Sequence, residues 1–459
     1  MSTGADEKER TVSRRGFLGS AAAATAFSVV PSSVLAGSGG NAPSDTLNIA
    51  GIGVGGRGKH DIAAVAQTEN IVALCDVDKK YAADTFKQYP EAEKYTDYRR
   101  MLDDMSDTID GVVIATPDHT HAVITKAALE RGLHVYCEKP LTHNVWEARQ
   151  IAQAAREADV TTQLGIQGHS TEGARRVVEW VRAGVIGEVE KIEAWCDQTY
   201  YPPGKQVWNP SVRHTPEQGM KVPDTLNWDL WIGPAEMRPY HKAYHPRAWR
   251  AWWDFGTGWM CDRGVHTFDP FVWAADLHNP ERVSARASFG RTEGRHPLAC
   301  MVNFEFPSRG DRGPVDVTWY TGMRPPRPRE LEPGQQLGDA RGGTLITGTK
   351  GKLTCGIYGG DPRLLPLSRM QEFAANQPPK TLPRVKTSHQ QNWVQACKKD
   401  EKATADFQYG ARVSEICLLG NVAKRVNTSF KWNAEKMKAT NLPEANKWVK
   451  PDYREGWSL

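Results

Sequence analysis

The sequence has little that suits a membrane or a nucleic acid. A helix needs about 20 apolar residues to cross a bilayer, and the Ala-rich apolar run near the N-terminus is shorter than that. The 58 lysines and arginines are interspersed among 54 aspartates and glutamates, so no basic face is built for a phosphate backbone. We therefore expect neither stable membrane insertion nor nucleic-acid binding.

The cysteines show no pattern of a metal site or a disulfide framework. The eight cysteines are widely separated along 459 residues, with no CxxC pair and no His/Cys cluster at zinc spacing. They are interpreted as mostly buried, small apolar side chains, and no metal is predicted. Repeats of fixed period are also absent, so the length favours a globular protein of two domains.

The first 36 residues have the layout of an export signal. A polar leader ends in Arg14 and Arg15, an Ala-rich run follows, and residues 34–36 offer small side chains for cleavage. The segment SRRGFL resembles the twin-arginine signal, and the alternative is an ordinary amphipathic helix that holds two arginines. Residues 37–46 are a predicted linker. The resemblance implies a periplasmic or other extracytoplasmic location.

The next segment has the pattern of a dinucleotide-binding βαβ unit. The strand LNIAGIG runs into the glycine series Gly51-x-Gly53-x-x-Gly56, a helix is predicted over residues 60–67, and the strand NIVALCD closes on Asp76. We expect the first glycine to permit the turn, the second to admit the pyrophosphate and the third to let the helix pack. A carboxylate at position 76 would bind the ribose hydroxyls and repel a 2′-phosphate, which favours NAD over NADP.

Two further strands bring polar residues to the same edge of the sheet. The strands GVVIATP and HVYCEKP both end at the carboxyl edge, where ligands of open α/β sheets bind. His119 is interpreted as a loop or capping residue, whereas His121 is expected to face the nicotinamide. Besides the three glycines and Asp76, the residues predicted to bind the cofactor are Arg57, Thr116, Pro117, His121, Glu138 and Lys139.

The stretch ATPDHTHAVITKAALERGLHVYCEKPLTHN resembles the signature of the glucose-fructose oxidoreductase and inositol dehydrogenase family, Gfo/Idh/MocA. The likeness runs from about Leu47 to Val426, and the family's E-K-P motif is matched by residues 138–140. It implies a Rossmann domain with a parallel sheet, followed by an α+β domain with an open, mainly antiparallel sheet. It also implies that Lys139 lies beside the nicotinamide and the substrate hydroxyl, and that the protein is a homo-oligomer.

Alternating apolar and polar residues mark the strands of the second half. The segments VEKIEAWC, RVSARASFG, ACMVNFEF and PVDVTWYTG predict a mainly antiparallel sheet with one covered face. HQQNWVQACKKD and GARVSEICLLGNVAKRV have helical spacing. The domains expected are a Rossmann domain at 47–167, a substrate and oligomerisation domain at 168–425, and a C-terminal tail at 426–459 that packs on the core.

The segment GTGWMCDRGVHTFDPF carries the candidate acid–base group. Asp262 and His266 are four residues apart, so on one helix they would share a face. A histidine can take the proton of a sugar hydroxyl, and a carboxylate beside it would orient the ring. The family resemblance implies that both act together with Lys139. The alternative is a helix-surface ion pair.

Aromatic residues cluster just before this segment, in HPRAWRAWWDFGTGW. Indoles stack on the apolar faces of sugar rings, and arginine binds hydroxyl groups. The predicted substrate-binding residues are therefore Trp249, Arg250, Trp252 and Trp253, although at least half of the local tryptophans are expected in the core. The Pro-rich segment 200–224 is a candidate loop over the pocket.

These patterns together predict an oxidoreductase that holds NAD tightly and acts on a saccharide or polyol. Two alternatives stay open. One is a redox-neutral NAD-dependent glycosidase, which oxidises a ring hydroxyl, eliminates the aglycone and returns the hydride. The other is a sugar-binding protein of the same fold without catalysis.

Overall fold

The computed structural model describes residues 45–290, 292–450 and 452–459. The predicted twin-arginine signal and residues 37–44 of the predicted linker lie outside them. Residues 47–459 form one unit that contains two sheets. Within the described residues no helix is long and apolar enough to span a bilayer.

The first sheet has six parallel strands in the order β3-β2-β1-β4-β5-β6. Short helices connect them, and the reversal of strand order beside β1 opens a crevice at the carboxyl edge. The strands are Asn48–Ile52 (β1), Asn70–Cys75 (β2), Glu93–Tyr95 (β3), Gly111–Ile114 (β4), His134–Glu138 (β5) and Thr162–Gly165 (β6). The connecting helices are Arg57–Val65 (α1), Ala83–Gln88 (α2), Tyr98–Met105 (α3), His121–Leu129 (α4) and Val145–Ala158 (α5).

The second sheet is mixed and mostly antiparallel, in the order β13-β12-β11-β7-β10-β9-β8-β14-β15. Its strands are Val189–Cys196 (β7), Arg282–Phe289 (β8), Ala299–Phe306 (β9), Val315–Thr321 (β10), Gly342–Gly348 (β11), Gly351–Cys355 (β12), Arg363–Leu365 (β13), Ser429–Asn433 (β14) and Lys438–Ala439 (β15). Strands β7 and β10 pair in parallel. The predicted fold class, a parallel Rossmann sheet followed by a mainly antiparallel sheet, is confirmed.

The remaining helices lie in the second half of the chain, where several pack on this sheet and others on the first. They are Glu172–Arg182 (α6), Trp228–Ile232 (α7), Gly258–Asp262 (α8), Gly264–Ala274 (α9), Leu367–Ala374 (α10), His389–Cys397 (α11) and Phe407–Val426 (α12). Helix α12 is buried around most of its circumference because it packs on both α5 and β8. It begins where the Asp406 side chain accepts a hydrogen bond from the Tyr409 amide. This helix therefore joins the two sheets through a common core.

Candidate active site

A cavity of about 420 Å³ lies at the carboxyl edge of the parallel sheet. This volume lies within the range usual for small-molecule sites. The ends of β1, β2, β4 and β5 form one wall, and residues of the second sheet's half form the other. No group of three or more His, Cys, Asp or Glu side chains among the described residues could hold a metal ion.

The glycine turn after β1 approaches its neighbours too closely for side chains. Gly53 has a φ of +79°, and a Cβ there would lie 2.7 Å from the Thr116 amide. At Gly51 a Cβ would lie 2.7 Å from the Ile62 side chain of α1. The tight turn thus falls to Gly53, where Gly51 was expected, and close packing of the helix falls to Gly51, where Gly56 was expected. Gly53 and Gly56 line the cavity and Gly51 lies behind it.

Asp76 follows β2 and faces the glycine turn. Its carboxylate accepts hydrogen bonds from the Gly55 amide at 3.0 Å and the Asp78 amide at 2.9 Å. Burial raises the pKa of Asp76 to about 6, against the opposing effect of these two amides. A bare glycine turn beside a buried carboxylate fits the pyrophosphate and ribose of a dinucleotide.

Arg57 and Glu138 meet at the floor of the cavity. Arg57 Nε lies 3.1 Å from Glu138 Oε1 and its Nη2 lies 2.8 Å from Asp61, which is fully buried. Burial and the charge of Glu138 raise the pKa of Asp61, although Arg57 opposes them. Gln167 donates a further hydrogen bond of 2.6 Å to Glu138. This network fixes the strand end that carries the next residue, Lys139.

Both histidines after β4 are buried among backbone carbonyls. His119 lies within 3.2 Å of the Phe255 and Trp231 carbonyls, and burial lowers its pKa to about 3. His121 lines the cavity together with Thr116 and Pro117. Its ring nitrogens face the Pro140 and Thr116 carbonyls at 2.7 and 2.9 Å. Burial lowers its pKa, but Cys137, Asp118 and the Pro140 carbonyl outweigh that effect and raise it to about 10.

Lys139 lines the cavity and is held by Asp262. Its ammonium donates to the Asp262 main-chain carbonyl at 3.0 Å and forms an ion pair with the carboxylate. Arg250 Nε lies 3.5 Å from the same carboxylate. Burial alone would raise the pKa of Asp262, but the charges of Lys139, Arg250 and Arg263 hold it well below its usual range. The carboxylate is therefore ionised.

His266 lines the same cavity but does not bond to Asp262. Helix α8 ends at Asp262 and α9 begins at Gly264, so the single helix expected for these two residues is broken at Arg263. This corrects the expectation that Asp262 orients the imidazole, because its carboxylate is turned to Lys139 instead. His266 Nδ1 has no hydrogen-bond partner among the described residues. Burial, with the charges of Lys139 and Arg263, lowers the pKa of His266 well below its usual value.

The predicted tryptophans divide between the cavity and the core. Trp249 and Arg250 line the cavity, with the Arg250 guanidinium 4.1 Å from the Trp249 ring centre. Trp252 is fully buried and donates its indole N–H to the Ala243 carbonyl. Trp253 packs on His296 with ring centres 3.5 Å apart. The structure therefore corrects the expectation that Trp252 and Trp253 reach the substrate.

Three further aromatic residues line the cavity without having been predicted individually as site residues. Trp259 stacks on Tyr200, and its buried indole N–H has no partner among the described residues. Trp208, from the Pro-rich segment, also lines the cavity. Tyr358 has a φ of +68°, and its ring centre lies 4.5 Å from that of His266. Non-glycine residues with such a strained backbone cluster at functional sites. In the sequence, the only sign of this turn is the set of glycines that flank Tyr358 in GIYGGD.

Comparison with known sequences gives two adjoining family matches. Residues 47–166 match the family described as "Oxidoreductase family, NAD-binding Rossmann fold". Residues 174–295 match the companion "Oxidoreductase family, C-terminal alpha/beta domain". Together the two matches cover more than half of the chain.

Curated relatives match over shorter segments. A levoglucosan dehydrogenase from Pseudarthrobacter phenanthrenivorans is 28% identical over 155 residues, which cover 31% of this chain and 39% of that protein. A glycosyl hydrolase family 109 protein from Shewanella pealeana is 29% identical over 159 residues, which cover 33% of this chain and 35% of that protein. The chain thus spans well under half the length of each of these relatives.

The whole fold has counterparts among solved structures. The WlbA dehydrogenase from Bordetella pertussis, crystallised with NADH and UDP-GlcNAcA, superposes with a TM-score of 0.58. The superposition covers 84% of this chain and 99% of the other at 16% sequence identity. At this level of identity the similarity shows a shared fold and nothing more. With both sheets, the E-K-P strand end and the two family matches in agreement, the chain belongs to the Gfo/Idh/MocA family of oxidoreductases.

Proposed function

We propose that the protein oxidises a hydroxyl group of a saccharide or polyol, with NAD as the hydride acceptor. The observation that carries this proposal is the meeting of Lys139, Asp262 and His266 in the cavity that also contains the glycine turn and Asp76. Sugar and polyol dehydrogenases among the relatives support the substrate class. Asp76 supports NAD rather than NADP, since its carboxylate would face a 2′-phosphate.

The side chains suit the loss of a proton from a substrate hydroxyl. When bound, the nicotinamide would supply the acceptor for the hydride. His266 is neutral because of its lowered pKa, so it can take the hydroxyl proton, and its unpartnered Nδ1 shows unused capacity for a hydrogen bond. The Lys139 ammonium, fixed by Asp262, can donate a hydrogen bond to the substrate oxygen as negative charge develops there. Trp249 and Trp259 offer flat apolar surfaces to a sugar ring.

The test is turnover of the variants His266→Ala and Lys139→Ala on a panel of sugars and polyols. Each should lower turnover by about 100-fold or more, a typical loss for a positioned acid–base group, while the protein remains folded. His278→Ala is the matched control, because this histidine pairs with Asp276 outside the cavity. Near-normal turnover in either active-site variant would remove that residue from the mechanism. Sugar binding that survives both changes, with no hydride transfer ever detected, would favour a non-catalytic binding protein.

A redox-neutral glycosidase is the second candidate, favoured by the similarity to the glycosyl hydrolase family 109 protein. Such an enzyme would use the same base and cation but return the hydride after losing the aglycone. Aryl glycosides separate the two reactions. Release of the aryl alcohol without net reduced cofactor would identify the glycosidase, whereas a lasting oxidised sugar with reduced cofactor would identify the dehydrogenase.

A further inference from the structure

The substrate end of the cavity carries more positive than negative charge. Lys139, Arg250 and Arg263 all act on the single carboxylate of Asp262, and their charges are what lower its pKa. His266 adds no compensating charge because it is neutral. Three cations around one anion leave an excess of two positive charges in a largely buried site, where unpaired charge is costly.

The other carboxylates of the lining are engaged elsewhere. Glu138 pairs with Arg57 and accepts from Gln167. Asp118 accepts hydrogen bonds from both the amide and the hydroxyl of Thr257. Asp76 and Asp97 belong to the other end of the cavity, where Asp76 faces the glycine turn and Asp97 caps α3. Among the described residues that line the cavity, no further carboxylate is therefore left to pair with the excess charge at the substrate end.

Neighbouring side chains and a main-chain carbonyl hold the two arginines in place. Arg263 donates from Nε to Gln198 at 3.0 Å and from Nη1 to the Tyr358 hydroxyl at 2.9 Å. Arg250 rests on the Trp249 ring and donates from Nη1 to the Arg247 carbonyl. Among the described residues, the Nη2 group of each guanidinium makes no hydrogen bond. Both side chains line the cavity, so these N–H groups can bind a ligand.

We propose that the substrate is an acidic saccharide whose carboxylate is bound by Arg250 and Arg263. This inference rests on the proposed function, because it assigns the substrate class of the same site. The tryptophans around the two arginines supply surfaces for the sugar ring, which an inorganic anion would not need. A carboxylate neutralises one excess charge and leaves the other to stabilise the partial negative charge that develops on the reacting oxygen as its proton passes to His266 and the hydride leaves. A phosphate, with up to two negative charges, would use both before the reaction begins.

The test compares ligands that differ only at the acidic group. Binding is measured by titration calorimetry for glucuronate against glucose, galacturonate against galactose, and gluconate against glucitol, with glucose 6-phosphate as the phosphate probe. We expect the acid of at least one pair to bind about 10-fold or more tightly than its neutral partner. In Arg263→Gln and Arg250→Gln the acid should lose more affinity than its neutral partner, so that the preference falls to within about threefold. Arg324→Gln, which removes an exposed arginine paired with Asp197, should keep the preference.

Each other outcome contradicts the inference in a distinguishable way. Neutral sugars that bind and react as well as the acids would overturn the carboxylate site and leave the proposed function standing. Tighter binding of glucose 6-phosphate than of every acid would overturn the choice of carboxylate. An equal loss of acid and neutral ligands in both arginine variants would assign these residues to general structure. Absence of binding and turnover with every sugar of the panel would overturn the proposed function and this inference with it.

Discussion

Replacement of Asp76 by serine tests how the chain selects its dinucleotide. The carboxylate lies at the end of β2, accepts hydrogen bonds from the Gly55 and Asp78 amides, and is 9% exposed. A 2′-phosphate on the adenosine ribose would lie against it, whereas the two hydroxyl groups of NAD would donate to it. Serine removes the charge and keeps one acceptor for the neighbouring amides. We expect the variant to bind NAD less tightly and NADP more tightly.

The expected size follows from the burial of the carboxylate. Two unit charges about 4 Å apart repel by about 1 kcal/mol in water and about 4 kcal/mol at an effective dielectric constant of about 20. Asp76 lies between these limits, so the native preference for NAD over NADP should be roughly 5- to 1,000-fold. Because burial raises the pKa of Asp76 to about 6, the carboxyl is ionised at pH 7.5 and largely neutral at pH 5. The preference should therefore shrink as the pH falls through 6.

The assay is titration of nucleotide-stripped protein with NAD and NADP between pH 5 and 7.5. The 2′-phosphate of NADP also gains a proton near pH 6. Because the serine variant lacks the carboxyl, its pH dependence measures the effect of phosphate protonation alone. Asp76→Asn is the matched control for size. A native protein that binds NADP as tightly as NAD at pH 7.5 would refute the role of Asp76. A serine variant with an unchanged ratio of affinities would refute it equally.

Other residues of the cavity give shorter tests. Burial and neighbouring cations lower the pKa of His266, so kcat/KM should decrease with falling pH only below pH 6.5. A decrease that begins at or above pH 6.5 would contradict His266 as the base. Asp262→Asn should move that limb to lower pH, since it removes the negative charge that raises the pKa of His266. Asp118→Ala should lower the free energy of unfolding, measured in urea, by about 2–3 kcal/mol, because two buried donors of Thr257 lose their acceptor. An unchanged midpoint of the urea unfolding curve would contradict this.

Local pattern predicted the strands of both sheets well. The segments VEKIEAWC and ACMVNFEF coincide with β7 and β9. Strand β9 alternates between buried and less buried residues as predicted, whereas the last five residues of β7 are all buried. Helix α1 begins at Arg57 rather than His60, because the glycine turn continues into the helix without a spacer. The parallel pairing of β7 with β10 could not be predicted, since alternation says nothing of a strand's neighbour.

The site was predictable only where residues follow strand ends. Lys139 and Asp76 stand at the ends of β5 and β2, so their edge of the sheet is fixed by topology. The break at Arg263 and the burial of Trp252 depend on packing between segments far apart in sequence, which residue spacing does not record. Tyr358 reaches His266 from a turn more than 90 residues later, and no spacing rule could bring them together.

The predicted N-terminal export signal and a nucleotide-binding site are compatible in one protein if the cofactor stays bound during export. We propose that the protein crosses the membrane folded, with NAD loaded in the cytoplasm. Because no soluble partner would regenerate free NAD outside, a second substrate or the oxidised sugar itself takes the hydride back, which favours the redox-neutral forms of the proposed reaction. The eight cysteines, all buried and unpaired, suit folding before export.

Trp457 lines the cavity beside Tyr98, and the Arg99 guanidinium lies 4.8 Å from its ring centre, so the C-terminal segment helps to cover the nucleotide site. Protein purified without added nucleotide and then denatured should release near-stoichiometric NAD, and Trp457→Ala should release less. An empty native protein that needs free NAD for every turnover would contradict retention.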